Sequence, residues 1–175
     1  MRLFIALYFD EPTQEKLIAL QKDLSKNHKG RYTKESQLHI TLHFFADIDK
    51  RDVDKLTALI QAMRMDKTTL NLAEFGHFTR PKGNILYLSP TDQWLYTLES
   101  KLRSDLKAAG FKVSKKTFKP HITLARDVLI TSAALKRIKT QFNPIQAKLR
   151  SVALMHSKLT PQGAKHTTVY KKDYA

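Results

Sequence analysis

The sequence predicts a fold of mixed helices and strands, built as two similar halves that share one folding unit. Three observations predict it. Strand-like and helix-like segments alternate along the 175 residues. Each half carries one copy of His-Ile-Thr-Leu, as "QLHITLHFF" (37–45) and "KPHITLARD" (119–127). No linker, low-complexity stretch or shift in composition separates the halves. The expectation is therefore a duplication folded as a single domain over residues 1–175.

The opening "RLFIALYF" is apolar throughout and reads as a buried strand. "DEPTQEKLIALQKDLSK" follows as a helix, with Asp10 as its cap, Pro12 in its first turn and Leu17, Leu20 and Leu24 as its apolar stripe. The first motif is strand-like. "DKRDVDKLTALIQAMR" repeats the helical pattern through Val53, Leu56, Leu59, Ile60 and Met63. "TTLNLAEFGHF" and "NILYLS" predict two strands joined by the loop "TRPKG".

In the second half, "TDQWLYTLESKLRSDLKAAG" is the clearest helix, striped by Leu95, Leu98, Leu102 and Leu106 and ended by Gly110. "FKVS" and "KPHITLAR" predict short strands. "SAALKRIKTQF" predicts a weaker helix with Pro144 beyond it. "IQAKLRSVALMHSKL" and "KHTTVYKK" predict closing strands on either side of the turn "TPQG".

Composition narrows the function. Hydrophobic residues make up 42% of the chain, enough for a core, and no apolar run approaches a membrane span. The apolar N-terminus is short, is followed by acidic residues and lacks a cleavage site, so it reads as a strand and not a signal peptide. With no cysteine, disulfides and thiolate metal sites are excluded, and a cytoplasmic location is the expectation. Thirty-one Lys and Arg against 16 Asp and Glu leave a net charge of +15, which attracts polyanions such as RNA. A basic surface without such a partner has the same composition. The densest basic stretch, "SKKTFK", leads into the second motif, where Lys115, Lys116 and Lys119 would steer an RNA end.

Side chains on a strand alternate faces. In each motif Ile and Leu therefore belong to the core, while His and Thr share the opposite face, about 6.5 Å apart. One such strand is ordinarily a half-exposed strand and nothing more. Two copies in matching places can line one cleft with two imidazoles and two hydroxyls. That set suits displacement at a phosphate. One imidazole acts as base and the other as acid, because the ordinary histidine pKa of about 6.5 allows both states near neutrality. The hydroxyls donate to the non-bridging oxygens. No carboxylate or thiolate stands at metal-ligand spacing in either motif.

The paired "HITL", the start "RLFIAL", "PHITLAR" and the late "SKLTPQGA" (157–164) resemble the 2H phosphoesterase superfamily, in particular its RNA 2′,3′-cyclic phosphodiesterase branch, also called the 2′-5′ RNA ligase family. The resemblance covers most of the chain. It implies a bilobal α+β fold, with two curved antiparallel sheets and flanking helices around a central cleft. It also implies hydrolysis of terminal 2′,3′-cyclic phosphates on RNA, tRNA fragments among them, to 2′-phosphates, with no cofactor and no metal. Carried over by residue, His39 and His121 are the catalytic pair, and Thr41, Thr123 and Arg126 bind the phosphate or nucleotide. A guanidinium at Arg126 would grip phosphate oxygens in bidentate fashion. The chain departs from the family pattern twice. "FFAD" replaces "FLG" after the first motif, and His166 stands near the place of a tyrosine, with no role carried over.

Other residues carry weaker readings. His43, four positions after His39, faces the cleft if the strand is regular; a solvated surface histidine is the alternative. His77 precedes a basic loop that either touches the nucleotide or is simply a hairpin turn, the turn being the preferred reading. Phe4 and Tyr8 share a face of the first strand and are read as core before base-stacking groups. Trp94 packs its helix on the sheet. Three rival functions remain: joining of RNA halves through a 2′-5′ linkage, a non-catalytic module that binds RNA ends, and action on other cyclic or 2′-5′-linked nucleotides. An internally duplicated chain is expected to be a monomer.

Overall fold

The computed structural model of the protein describes residues 1–174. Its strands are β1 (Leu3–Phe9), β2 (Arg31–Tyr32), β3 (His39–Phe45), β4 (Thr69–Phe78), β5 (Asn84–Pro90), β6 (Ile122–Val128), β7 (Ile145–Thr160) and β8 (Gly163–Asp173). Its helices are α1 (Glu11–Ser25), α2 (Val53–Ala62), α3 (Gln93–Ala108) and α4 (Ser132–Gln141). The fold is α+β, and every strand pairing is antiparallel.

Local chemistry sets the helix ends as expected. The Asp10 carboxylate accepts from the Thr13 N–H at 3.0 Å and caps α1, and Pro12 sits in the first turn, where it has no intrahelical partner to lose. Gly110, at φ 88, closes α3 through the left-handed conformation.

The element order β-α-β-α-β occurs twice, as β1-α1-β3-α2-β4 and β5-α3-β6-α4-β7. The two last strands are exchanged. β1 lies between β3 of its own half and β7 of the other, while β5 lies between β6 of its own half and β4 of the other. β4 and β7 then pair with each other, and β8 extends the sheet beyond β7. The two sheets implied by the resemblance are thus halves of one eight-stranded sheet. At the far side β3 meets β6 at one register point, Ile40 opposite Ile122.

The helices cover one face. Leu3, Ile5 and Leu7 of β1 are buried against them, together with Leu17 of α1, Leu56 and Ile60 of α2, and Leu102 and Leu106 of α3. On the other face Phe4 and Ala6 form a small cluster with Ala153 and Met155 of β7, edged by Tyr8. That second face is the floor of the cleft. Among the described residues, no helix is long and apolar enough to cross a membrane.

Two segments differ from expectation. "FKVS" forms no strand. Phe111 and Val113 pack on the core, but the Arg103 guanidinium donates to the carbonyls of Ser114 and Lys116 and holds this backbone where a strand partner would. The unexpected β2 is two residues long and pairs with β6. So short a strand leaves no periodicity to read.

Candidate active site

Each motif histidine is held by the backbone just before it. His39 Nδ1 lies 2.7 Å from the Gln37 carbonyl, and His121 Nδ1 lies 2.7 Å from the Lys119 carbonyl. A carbonyl only accepts, so both rings carry their proton on Nδ1 when neutral and present a lone pair at Nε2. The Thr41 hydroxyl stands 3.1 Å from His39 Nε2 and donates to it. Before His121, the Ser89 hydroxyl donates to the Pro120 carbonyl at 2.6 Å and steadies the approach to the ring.

Aromatic rings wall in both imidazoles. His39 stacks on Phe4 at 5.2 Å between centroids and tilts against Tyr8 at 5.5 Å. His121 meets Phe78 edge-on at 5.3 Å and Tyr87 at 5.5 Å. Tyr87 lies over Gly76, where a Cβ would fall 2.3 Å from its ring carbon, so only glycine fits beneath it. Burial pushes the His39 pKa down to about 4; the Gln37 carbonyl opposes this, and the positive fields of His166, His121 and Arg126 add to it. His39 is neutral at neutral pH in the empty cleft.

Both motif strands bulge at the same place. On β3, Thr41 pairs with Ala6 and His43 with Ile5, so Leu42 is the extra residue. On β6, Thr123 pairs with Tyr87 and Ala125 with Leu86, so Leu124 is the extra residue. A bulge shifts the strand's alternation by one. Arg126, five positions after His121, would face away from the cleft on a regular strand; the bulge turns it back. The Leu124 carbonyl accepts from the Thr33 N–H at 2.9 Å, just beyond the β2–β6 pairing, and from buried Gln21 Nε2 at 2.8 Å.

The result is one cleft of about 460 Å³ whose lining includes His39, Thr41, His121, Thr123 and Arg126. All five residues singled out in the sequence meet there. The profile of the 2′-5′ RNA ligase superfamily matches residues 8–160. The chain belongs to this superfamily.

Among curated relatives, the RNA 2′,3′-cyclic phosphodiesterase of Escherichia coli strain K12 is 29% identical over 126 residues, 72% of each chain. The protein of the same name from Archaeoglobus fulgidus is 24% identical over 93% of this chain and 94% of its own. E. coli LigT complexed with 3′-AMP has the same fold, with a TM-score of 0.76 at 23% identity over 98% of this chain and 97% of its own. A Thermus thermophilus protein reaches a TM-score of 0.77 at 22% identity, covering 99% of this chain and 97% of its own.

The superfamily cleft here holds a third imidazole. His166 on β8 meets His39 edge-on at 5.8 Å and Phe4 at 4.8 Å, and its Nδ1 is buried without a partner among the described residues. Burial, then the Arg126 charge, lowers its pKa. Its one signal in the sequence is its place just after "GA". Phe4, read as core, is buried but forms the floor beneath His39 and His166.

His43 does not face the cleft. The bulge at Leu42 rotates it inward, where it is buried against Phe45 at 4.7 Å. Neither the cleft nor the surface reading allowed for that extra residue. Phe44 takes the place in the first motif that Arg126 has in the second; it is exposed, with the Arg2 guanidinium 5.0 Å from its ring centre. His77 lies with Lys136 and Lys139 of α4 in a separate hollow. Trp94 is half-buried against the core.

Proposed function

We propose that this protein hydrolyses the terminal 2′,3′-cyclic phosphate of RNA to a 2′-phosphate, using His39 and His121 as its acid–base pair and no metal. One observation carries the reading. Two His-x-Thr strands line a single cleft, and in each the ring's Nδ1 is tied to the carbonyl two residues earlier, which turns Nε2 to the cleft, where His39 Nε2 meets only the Thr41 hydroxyl of its own motif. The name shared by the E. coli and A. fulgidus relatives supports the substrate class, and the +15 charge supports a polyanion.

In this mechanism one neutral Nε2 takes a proton from water as its oxygen attacks phosphorus. The other imidazole, protonated, gives its proton to O3′ as the P–O3′ bond breaks. The products are a 2′-phosphate and a free 3′-hydroxyl. Thr41 and Thr123 donate to the non-bridging oxygens, and Arg126 offsets their charge. An anion in the cleft also favours the protonated form of an imidazole that is neutral when the cleft is empty.

The test is a cyclic-phosphate oligoribonucleotide incubated with the protein in excess EDTA. The expected product is the 2′-phosphate, with His39→Ala and His121→Ala each losing about 10²–10⁴-fold in kcat. A 3′-phosphate product, a dependence on metal, or full turnover by either variant overturns the reading. Tight binding without turnover would instead indicate an RNA-end-binding module. Joined product from two RNA halves would indicate ligation.

A further inference from the structure

Arg31 on β2 lies directly opposite Arg126 on β6. Like charges at opposed positions of an antiparallel pair are destabilising. Both side chains line the catalytic cleft. Arg80 adds a third positive charge close enough for its field to act on Arg126. Among the described residues, one carboxylate answers these three guanidinium groups: Asp127, whose Oδ2 accepts from Arg31 Nε at 2.6 Å. Asp127 itself has φ 54, a left-handed conformation that non-glycine residues seldom take. Two local rules are thus broken at adjacent residues, at the edge of the cleft. Such departures cluster at functional sites, where the surrounding fold sustains them.

The position identifies the ligand. The imidazoles and hydroxyls of the two motifs are the groups suited to the reacting phosphate. Arg31 stands apart from them on the short outer strand, with 62% of its side chain exposed. Its Nη1 lies 3.7 Å from where a Cβ on Gly163 would stand, so it reaches toward the β7–β8 turn across the mouth of the cleft. The Gln37 side chain holds that turn through the Ala164 carbonyl at 3.2 Å. An RNA end brings a second phosphate, one nucleotide upstream of the cyclic one, whereas a free cyclic mononucleotide does not.

We propose that Arg31, opposed to Arg126 and oriented by Asp127, forms a subsite for the internucleotide phosphate preceding the terminal nucleotide, so that the cleft selects oligonucleotide ends over mononucleotides. This rests on the reading of the site as an RNA cyclic-phosphate hydrolase. An Arg guanidinium meets phosphate oxygens through parallel N–H donors, and an anion there also relieves the repulsion between the paired arginines.

The experiment compares kcat/KM on a nucleoside 2′,3′-cyclic phosphate and on a trinucleotide ending in the same group, for the wild type, Arg31→Gln and Arg31→Lys. Wild type should favour the trinucleotide about tenfold or more, and that ratio should collapse toward one in Arg31→Gln through a rise in KM. Arg31→Lys should keep part of it. An equal loss on both substrates, which a structural role would give, overturns the subsite, as does an unchanged ratio. If neither variant folds by circular dichroism, wild-type salt dependence decides. The slope of log KM against log salt should be steeper for the trinucleotide by about 0.7 per extra phosphate contact. Equal slopes overturn the proposal. Should wild type turn over neither substrate, the hydrolase reading fails by itself. The subsite is then judged by binding of a 2′-phosphate-ended trinucleotide against a nucleoside 2′-phosphate. A preference for the trinucleotide that Arg31→Gln abolishes upholds it, and equal affinities overturn it.

Discussion

Ile40 faces Ile122 across the register point that joins β3 to β6, and both are fully buried. Each is the residue immediately after a motif histidine. Their pairing links the two motif strands one residue beyond the imidazoles, although neither isoleucine lines the cleft.

Removing one of these side chains should loosen both the core and the site. Ile122→Ala should cost about 2–5 kcal/mol, and Ile122→Val about 0.5–1.5 kcal/mol. Activity of Ile122→Ala should fall by more than its unfolded fraction explains. Urea melts paired with kcat on the folded protein check this; a stability loss with unaltered kcat would show that the spacing is held elsewhere.

The low pKa of His39 makes stability depend on pH. Its folded value, about 4, lies below the ordinary value of 6.5. As pH falls, the unfolded chain therefore takes up this proton first. The stability tied to neutral His39 is complete above pH 6.5 and is lost as pH falls through about 4, by at most about 3 kcal/mol. Lowered values at His43, His77 and His166 act in the same direction. Between pH 6.5 and about 4 the denaturation midpoint of wild type should fall more steeply than that of His39→Gln; parallel curves would refute the effect.

Gln21 ties the bulge in the second motif strand to α1. Its Nε2 donates to the Thr33 and Leu124 carbonyls, each at 2.8 Å. Gln21→Leu leaves buried acceptors short of a donor and should cost about 1–3 kcal/mol. Because the bulge aims Arg126, kcat/KM should also drop several-fold. Thermal melts and kinetics on the same preparation test both; lost stability with full activity would mean the bulge persists without Gln21.

The exchanged strands lead us to propose that residues 1–175 fold as one cooperative domain. β4 completes the sheet begun by β5 and β6, and β7 completes the one begun by β1 and β3. A chain cut in the loop at 79–83 should give fragments that lack cooperative melting when expressed alone and regain it when combined. Either fragment melting cooperatively by itself would show independent domains.

Much of this is legible in the sequence because its signals are local. Helix stripes, the Asp10 cap and the Gly110 stop depend on neighbours within one turn. Strand parity puts Ile40, Leu42, Ile122 and Leu124 in the core and His39, Thr41, His121 and Thr123 on the other face. It misplaces His43 because parity holds only while the ladder is unbroken, and Leu42 breaks it. "FKVS" looks like a strand but is not one, because Arg103, outside that segment, takes up the carbonyls beside it.

The chain alone determined the repeat, its polar face and the excess of positive charge. These are properties of residue order and type. Tertiary structure decided what a one-dimensional pattern does not encode. It exchanged β4 and β7 between the halves and joined the motif strands at Ile40 and Ile122. Its two motif-strand bulges turned Arg126 toward the cleft and His43 away from it. It also brought His166 and Arg31 to the cleft from outside the two His-x-Thr motifs, because sheet pairing is settled by contacts between residues far apart in the chain.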